Sequence, residues 1–175
     1  MATDLLLSLS YVVHVVSAAF WTGGVLYAAY AVFPPARDGD VGPAAFERSV
    51  DGLLGVTRWT GLALPATGAY QIWVLYPLPA LFGTTRGHLV LGMLALWGTM
   101  NGLLELGVYR MRTADANGDG DPPGVGRYMA ERFVVDDGAD VVRLAAVGRP
   151  YVTASVALSV LLLVDAALLA GGLPA

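Results

Sequence analysis

The sequence predicts an all-α fold, a four-helix transmembrane bundle that forms a single integral membrane domain over residues 1–175. Three observations support this prediction. Apolar residues make up 56% of the chain and charged residues 14%, against about 45–50% and about 25% in ordinary soluble domains. Four segments provide the roughly 20 consecutive, mostly apolar residues that a membrane-spanning helix needs. Each segment is bounded by a proline or a charged residue, as such helices usually are.

The first predicted span ends at Pro34 and Pro35, and the second ends at Pro77. The third precedes Arg110, and the fourth follows Pro150. One long acidic loop, residues 110–150, joins the last two spans, and its second half carries a helix-like pattern that predicts an interfacial or cytoplasmic helix within 126–148. In chain order, the predicted spans are residues 5–33, 53–76, 87–109 and 151–171.

The arginines predict the orientation of the bundle. All ten basic residues are arginines, and nine of them fall in the loops and helix ends that follow spans one and three. Arg86 alone lies on the other side. Because cytoplasmic loops carry an excess of Lys and Arg, both termini are predicted to be extracytoplasmic. The chain is therefore expected to be a multi-pass protein of the cell membrane, with the lipid bilayer as its main partner.

Composition also excludes several classes of protein. The low charge content excludes a disordered chain, a nucleic-acid binder and a typical cytosolic enzyme. The absence of cysteine excludes disulfides, thiolate catalysis, zinc knuckles and iron–sulfur clusters. Eleven of the fourteen acidic residues are Asp and lysine is absent, which is a halophilic composition. No pattern of catalytic residues is recognisable.

The two histidines, His14 and His88, are the first candidates for a metal centre, because both fall in predicted spans that run in the same direction. Ser10, His14, Ser17 and Trp21 share one helical face, which predicts an inward polar stripe. Ionisable groups within a membrane usually face the bundle interior. The imidazoles are candidate axial ligands of haem b.

Two other interpretations of the histidines remain open. They could bind a copper ion, with Met93 as a soft additional ligand. They could equally be interfacial histidines hydrogen-bonded to water or backbone, without any cofactor. Their number and spacing alone do not discriminate among the three.

Asp165, in the fourth predicted span, is the other unusual residue. It could orient an imidazole, pair with Arg86 or accept a proton. Glu105 is expected to form an ion pair with a nearby arginine. Residues 115–121 match the first half of a calcium-binding loop, but Pro122 and Pro123 follow, so a solvated acidic loop is favoured.

Short motifs give the chain a resemblance to a known family. Residues 14–24, with His14, a tryptophan seven residues later and a glycine pair, resemble the first span of the CopD-like (copper-resistance protein D) membrane proteins. The pattern from Arg48 to Thr67-Gly68 and the stretch 85–91 are similar to the same family. The resemblance covers most of the chain except residues 113–148, and it extends distantly to the HemJ-type proteins. It implies a four-helix membrane module associated with copper handling or, as in the HemJ type, with haem b. Relatives often carry a lysine one turn into span three, where this chain has Gly92-Met93.

Together these features predict a membrane metal-centre protein that binds haem b between spans one and three, for electron transfer or copper-linked redox chemistry. The alternatives are copper binding or transport, and a cofactor-free accessory subunit of a membrane complex. Gly98 and Gly102 form a small-xxx-small pair that permits close helix contact. A homodimer or a complex with a membrane redox partner is therefore expected. The expected cofactor contacts are His14, His88, Ser17, Trp21 and Asp165.

Overall fold

The computed structural model describes residues 2–115 and 132–171, and the prediction of an all-α fold is confirmed over this part of the chain. Four of its helices contain 26 or more residues and two are short. In chain order they are α1 (Ala2–Tyr27), a π-helical segment (Ala28–Val32), α2 (Phe33–Arg37), α3 (Pro43–Leu75), α4 (Leu78–Gly83), α5 (Thr85–Asp115) and α6 (Val141–Gly171).

Three of the helical segments are long and apolar enough to cross a membrane: Asp4–Asp38, Thr85–Ala114 and Val141–Gly171. The first, third and fourth predicted spans therefore have the length and apolar composition expected of membrane helices. Helix α3 is long enough, at 33 residues, but it is not among the segments whose composition is apolar enough to cross a membrane.

The long helices form two antiparallel pairs, α1 with α3 and α5 with α6. Helix α5 approaches α6 closely because Gly107 has no side chain. A Cβ atom at that position would lie 2.7 Å from Cβ of Tyr151. Gly98 and Gly102 on the same helix are exposed, and a Cβ atom added at either position would have no neighbouring atom within 4 Å. The homodimer that this glycine pair suggests therefore stays a prediction.

The first helical segment does not end at Pro34 and Pro35 as predicted. Prolines lack the N–H that would bond four residues back, and the chain accommodates them with a π-helical segment, in which the Phe33 N–H donates to the Ala28 carbonyl. The two prolines then occupy the first turn of α2, where a missing N–H costs little. The helix ends after Arg37, at a turn closed by Gly39 with φ of 85°.

The predicted loop 110–150 is too long at both ends. Helix α5 continues to Asp115, and α6 begins at Val141 and runs through Pro150. Prolines within membrane helices are tolerated because neighbouring groups satisfy the freed backbone atoms. The helix predicted within 126–148 is also wrong over 132–140, which is not helical; residues 116–131 lie outside the described part of the chain.

Residues 132–135 form an extended segment, the strap, which covers the end of the bundle at which α3 begins. Phe133 and Val135 are buried and Val134 is 64% exposed, an alternation typical of extended chain. The N–H groups of Phe133 and Val135 donate to carboxylate oxygens of Asp51 (3.3 Å) and Glu47 (3.0 Å) on α3. These bonds replace those that a helix would have provided.

Stability should depend on pH through Asp51, which precedes the second predicted span. The hydrogen bonds from the Arg132 guanidinium hold the pKa of this carboxyl below its usual value, with partial burial opposing the shift. The pKa of Asp51 is lower in the folded chain than in the unfolded chain. Its carboxylate therefore stabilises the fold fully above the pKa of the unfolded chain, and this stabilisation is lost as the pH falls through the pKa of the folded chain. Thermal melts of wild type and Asp51→Asn should therefore differ at neutral pH and converge in acid. An equal difference at every pH would contradict this.

Candidate functional site

A cavity of about 300 Å³ lies between the two helix pairs, in the half of the bundle away from the strap. All four long helices contribute to its wall, which is mostly apolar and aromatic. Its volume is at the lower end of the range of sites for organic ligands, about 300–1,000 Å³. Among the lining side chains are Tyr11, His14, Trp21, Gln71, Met93 and Trp97.

His14 contributes its imidazole to the wall of this cavity, and a hydrogen bond to α3 orients the ring. Its Nδ1 lies 2.8 Å from Oγ1 of Thr67 on α3. The Thr67 hydroxyl also lies 2.7 Å from the Ala63 carbonyl and 3.1 Å from the Leu64 carbonyl. When it donates to either carbonyl, its oxygen accepts from Nδ1–H, and the lone pair of the ring is then on Nε2. In that tautomer Nε2 is the nitrogen that a ligand would use.

Gly68, next to Thr67, makes room for the imidazole. A Cβ atom at Gly68 would lie 3.5 Å from Cε1 of His14, and a longer side chain would enter the cavity. One turn away, the Gln71 amide donates to the Ser10 hydroxyl at 3.1 Å, and that hydroxyl donates to the Thr67 carbonyl. This network fixes the face of α3 against the histidine face of α1.

The predicted polar stripe of α1 does turn inward. Ser10, Ser17 and Trp21 are buried, and His14 is half-buried. Trp21 lines the cavity and its indole N–H donates to Asn101 on α5 at 3.3 Å. Ser17 is buried beside this face but is not part of the cavity wall.

Trp97 on α5 presents a polar atom without a partner. Its indole Nε1 is buried and has no hydrogen-bond acceptor among the described residues. A buried, unsatisfied donor costs about 1–3 kcal/mol. Because Trp97 lines the cavity, an acceptor on a bound molecule would relieve this cost.

His88 lies in a different environment from His14. It is exposed near the start of α5, and its Nε2–H donates to the Phe82 carbonyl at 2.9 Å. It does not contribute to the cavity wall, whereas Met93 on the same helix does. Of the three predicted metal ligands, the structure therefore brings His14 and Met93 to one cavity and leaves His88 outside it.

Asp165 is buried against α5, where Gly92 leaves space for its carboxyl group. Neither carboxylate oxygen has a hydrogen-bond partner among the described residues. The partners suggested for it are engaged elsewhere: Arg86 donates to the Leu169 carbonyl, and His14 is bonded to Thr67. Its role as a proton acceptor stays a prediction.

The expected ion pair of Glu105 is confirmed, with Arg58 on α3 as its partner. The guanidinium makes two contacts, Nε to Oε1 at 3.0 Å and Nη2 to Oε2 at 3.2 Å. The pair connects α3 to α5 beyond the cavity. The calcium-loop interpretation falls mostly on residues 116–121, outside the described part of the chain.

Within residues 2–115 and 132–171, no group of three or more His, Cys, Asp or Glu side chains is arranged to hold a metal ion. Comparisons with protein families, with curated proteins and with solved structures find no match for this chain. Sequence reasoning did not identify Trp97 or Gln71 as part of the site. It quoted Thr67-Gly68 only within the family resemblance, and these residues prove to contact His14.

Proposed function

We propose that the chain is a four-span protein of the cell membrane, with both termini extracytoplasmic, that binds haem b in the cavity and carries electrons. Helix α3, which contains the second predicted span, would also cross the membrane, with its polar groups shielded by the other helices. The single observation that carries the proposal is the His14 imidazole in the cavity wall, whose Nδ1 is hydrogen-bonded to the Thr67 hydroxyl at 2.8 Å. Metal-ligating histidines usually have this arrangement, with the second ring N–H engaged by a neighbouring acceptor.

The residue types of the cavity suit such a group, but the macrocycle is larger than the space of about 300 Å³, so its binding would require the two helix pairs to move apart. Haem supplies four nitrogen ligands of its own and a reversible one-electron centre, so the chain needs to provide only axial ligands. His14 would be one, and the Met93 thioether is the second candidate within the cavity. The apolar and aromatic wall would exclude water from the macrocycle, and the unpartnered Trp97 N–H would donate to an acceptor on it. The resemblance to CopD-like and HemJ-type proteins agrees with this proposal.

The test is an absorption spectrum of the purified full-length protein, expressed with haem supplied, before and after reduction with dithionite. We expect a Soret band that His14→Ala abolishes and His88→Ala retains. Thr67→Val should keep the band but weaken haem affinity about 10- to 100-fold, since it removes the group that orients His14. A full Soret band in His14→Ala, or its loss only in His88→Ala, would contradict the assignment of His14.

A copper site is the second candidate, because Met93 lines the same cavity as His14. Imidazole and thioether together suit copper, and the thioether selects Cu(I). Elemental analysis would then find one copper per chain, lost in both His14→Ala and Met93→Leu. Protein that binds neither haem nor copper would favour the cofactor-free accessory subunit.

A further inference from the structure

A second concave surface lies on the outside of α6, away from the cavity. It is a shallow groove of about 630 Å³ with two arginines, Arg37 and Arg149, and a floor of small side chains. Arg37 comes from the end of α2 and Arg149 from α6, so two separate elements place guanidinium groups on one groove. Ala146, Ala154 and Ala157 are among the floor residues.

The groove begins at the depth where lipid headgroups are expected. Arg149 precedes the C-terminal end of α6 by about 22 residues, or about 33 Å at 1.5 Å per residue. A bilayer has a hydrocarbon core about 30 Å thick, so Arg149 lies at its polar boundary if α6 spans it. Ala157 lies about 12 Å further along the helix, at the depth of the acyl chains.

The two guanidinium groups of the groove have no ion-pair partner among the described residues. Both arginines are exposed, and neither guanidinium forms a hydrogen bond with those residues. Guanidinium groups bind phosphate through paired N–H donors. Pro150 adds an acceptor, because it has no N–H for the Ala146 carbonyl that lines the same groove. A hydroxyl group beside a phosphate would bond there.

We propose that this groove binds one anionic phospholipid, with its phosphate on Arg37 and Arg149 and an acyl chain along the small side chains of α6. Charge complementarity determines the headgroup, since basic pockets at the ends of membrane helices select anionic lipids. Because the side chains of the floor are small, an acyl chain can lie close to the backbone of α6. The proposal does not depend on haem or copper in the cavity.

The test compares lipid retention by the full-length protein in mild detergent, measured by native mass spectrometry. The probes are phosphatidylglycerol and phosphatidylcholine with identical acyl chains. Each arginine near an anionic headgroup contributes roughly a fivefold preference, so wild type should favour phosphatidylglycerol about 25-fold and Arg37→Gln/Arg149→Gln should lose the preference. Arg143→Gln, an exposed arginine of α6 outside the groove, is the matched control and should retain it.

Two further measurements distinguish binding through the lipid headgroup from binding through the acyl chain. Ala154→Leu fills the floor without changing charge and should reduce retention of both lipids. Inorganic phosphate at millimolar concentration should not displace the lipid, because it lacks the chain. The proposal is overturned if folded Arg37→Gln/Arg149→Gln, checked by circular dichroism, keeps the preference, if Arg143→Gln loses it equally, or if phosphate alone displaces the lipid.

Discussion

Replacing Arg58 with alanine should destabilise the folded bundle by about 3–5 kcal/mol, because it removes the guanidinium group that contacts both oxygens of the largely buried Glu105 carboxylate. Both side chains are about four-fifths buried, at 23% and 22% exposed, and both lie within the second and third predicted spans. Water cannot readily replace the guanidinium there. Denaturant titration of the full-length protein in detergent measures the loss.

The matched control is Arg110→Ala, an exposed arginine five residues after Glu105 on α5, which should change stability by about 0.5 kcal/mol or less. Glu105→Ala should be as harmful as Arg58→Ala. The double variant Arg58→Met/Glu105→Leu should recover most of the loss, because it removes both charges together. A double variant as unstable as either single one would show that the pair acts through other contacts.

The sequence predicted the helices better than their ends. Apolar length located the long helices, because lipid requires about 20 such residues for each span. The ends were misplaced at Pro34 and Pro150, which were interpreted as stops. Pro34 is accommodated by the π-helical segment before it and by its place in the first turn of α2, and Pro150 lies inside α6. Whether a proline ends a helix depends on the groups around it, which a single sequence does not specify.

The sequence predicted which residues of one helix face the site, but not which residues of the other helices they contact. The period of α1 placed Ser10, His14 and Trp21 on one face, and that face is inward. Which residue of α3 or α5 lies opposite depends on helix register, so the contact of His14 with Thr67 could not be read from spacing. The same uncertainty allowed His14 and His88 to be placed at one level, whereas His88 bonds to the Phe82 carbonyl outside the cavity.

The acidic residues of the strap interface show the same limit. Glu47 and Asp51 are four residues apart on α3, which marks one helical face but not what that face binds. In the structure their carboxylates accept N–H groups from the strap. Sequence distance gave no indication of this contact, since more than 80 residues separate the partners.

Phe133→Ala should remove the largest single apolar contribution of the strap. The ring is 1% exposed and packs edge-to-face on Phe46, with centroids 6.2 Å apart. Phe46 packs in the same way on Phe33 at 5.8 Å, so the cluster joins the strap, α2 and α3. Truncating a buried phenylalanine costs about 3–5 kcal/mol, which lowers Tm by roughly 10 °C for a chain of this size.

The neighbouring residue provides the control for this prediction. Val134→Ala changes the exposed side chain between the two buried ones and should alter stability by about 0.5 kcal/mol or less. If Val134→Ala were as harmful as Phe133→Ala, the strap would stabilise the protein through its backbone bonds to Glu47 and Asp51 rather than through the ring. Because the cavity lies at the opposite half of the bundle, Phe133→Ala protein that remains folded should keep the cofactor spectrum of wild type. Loss of both stability and cofactor would mean that the two halves of the bundle fold as one unit.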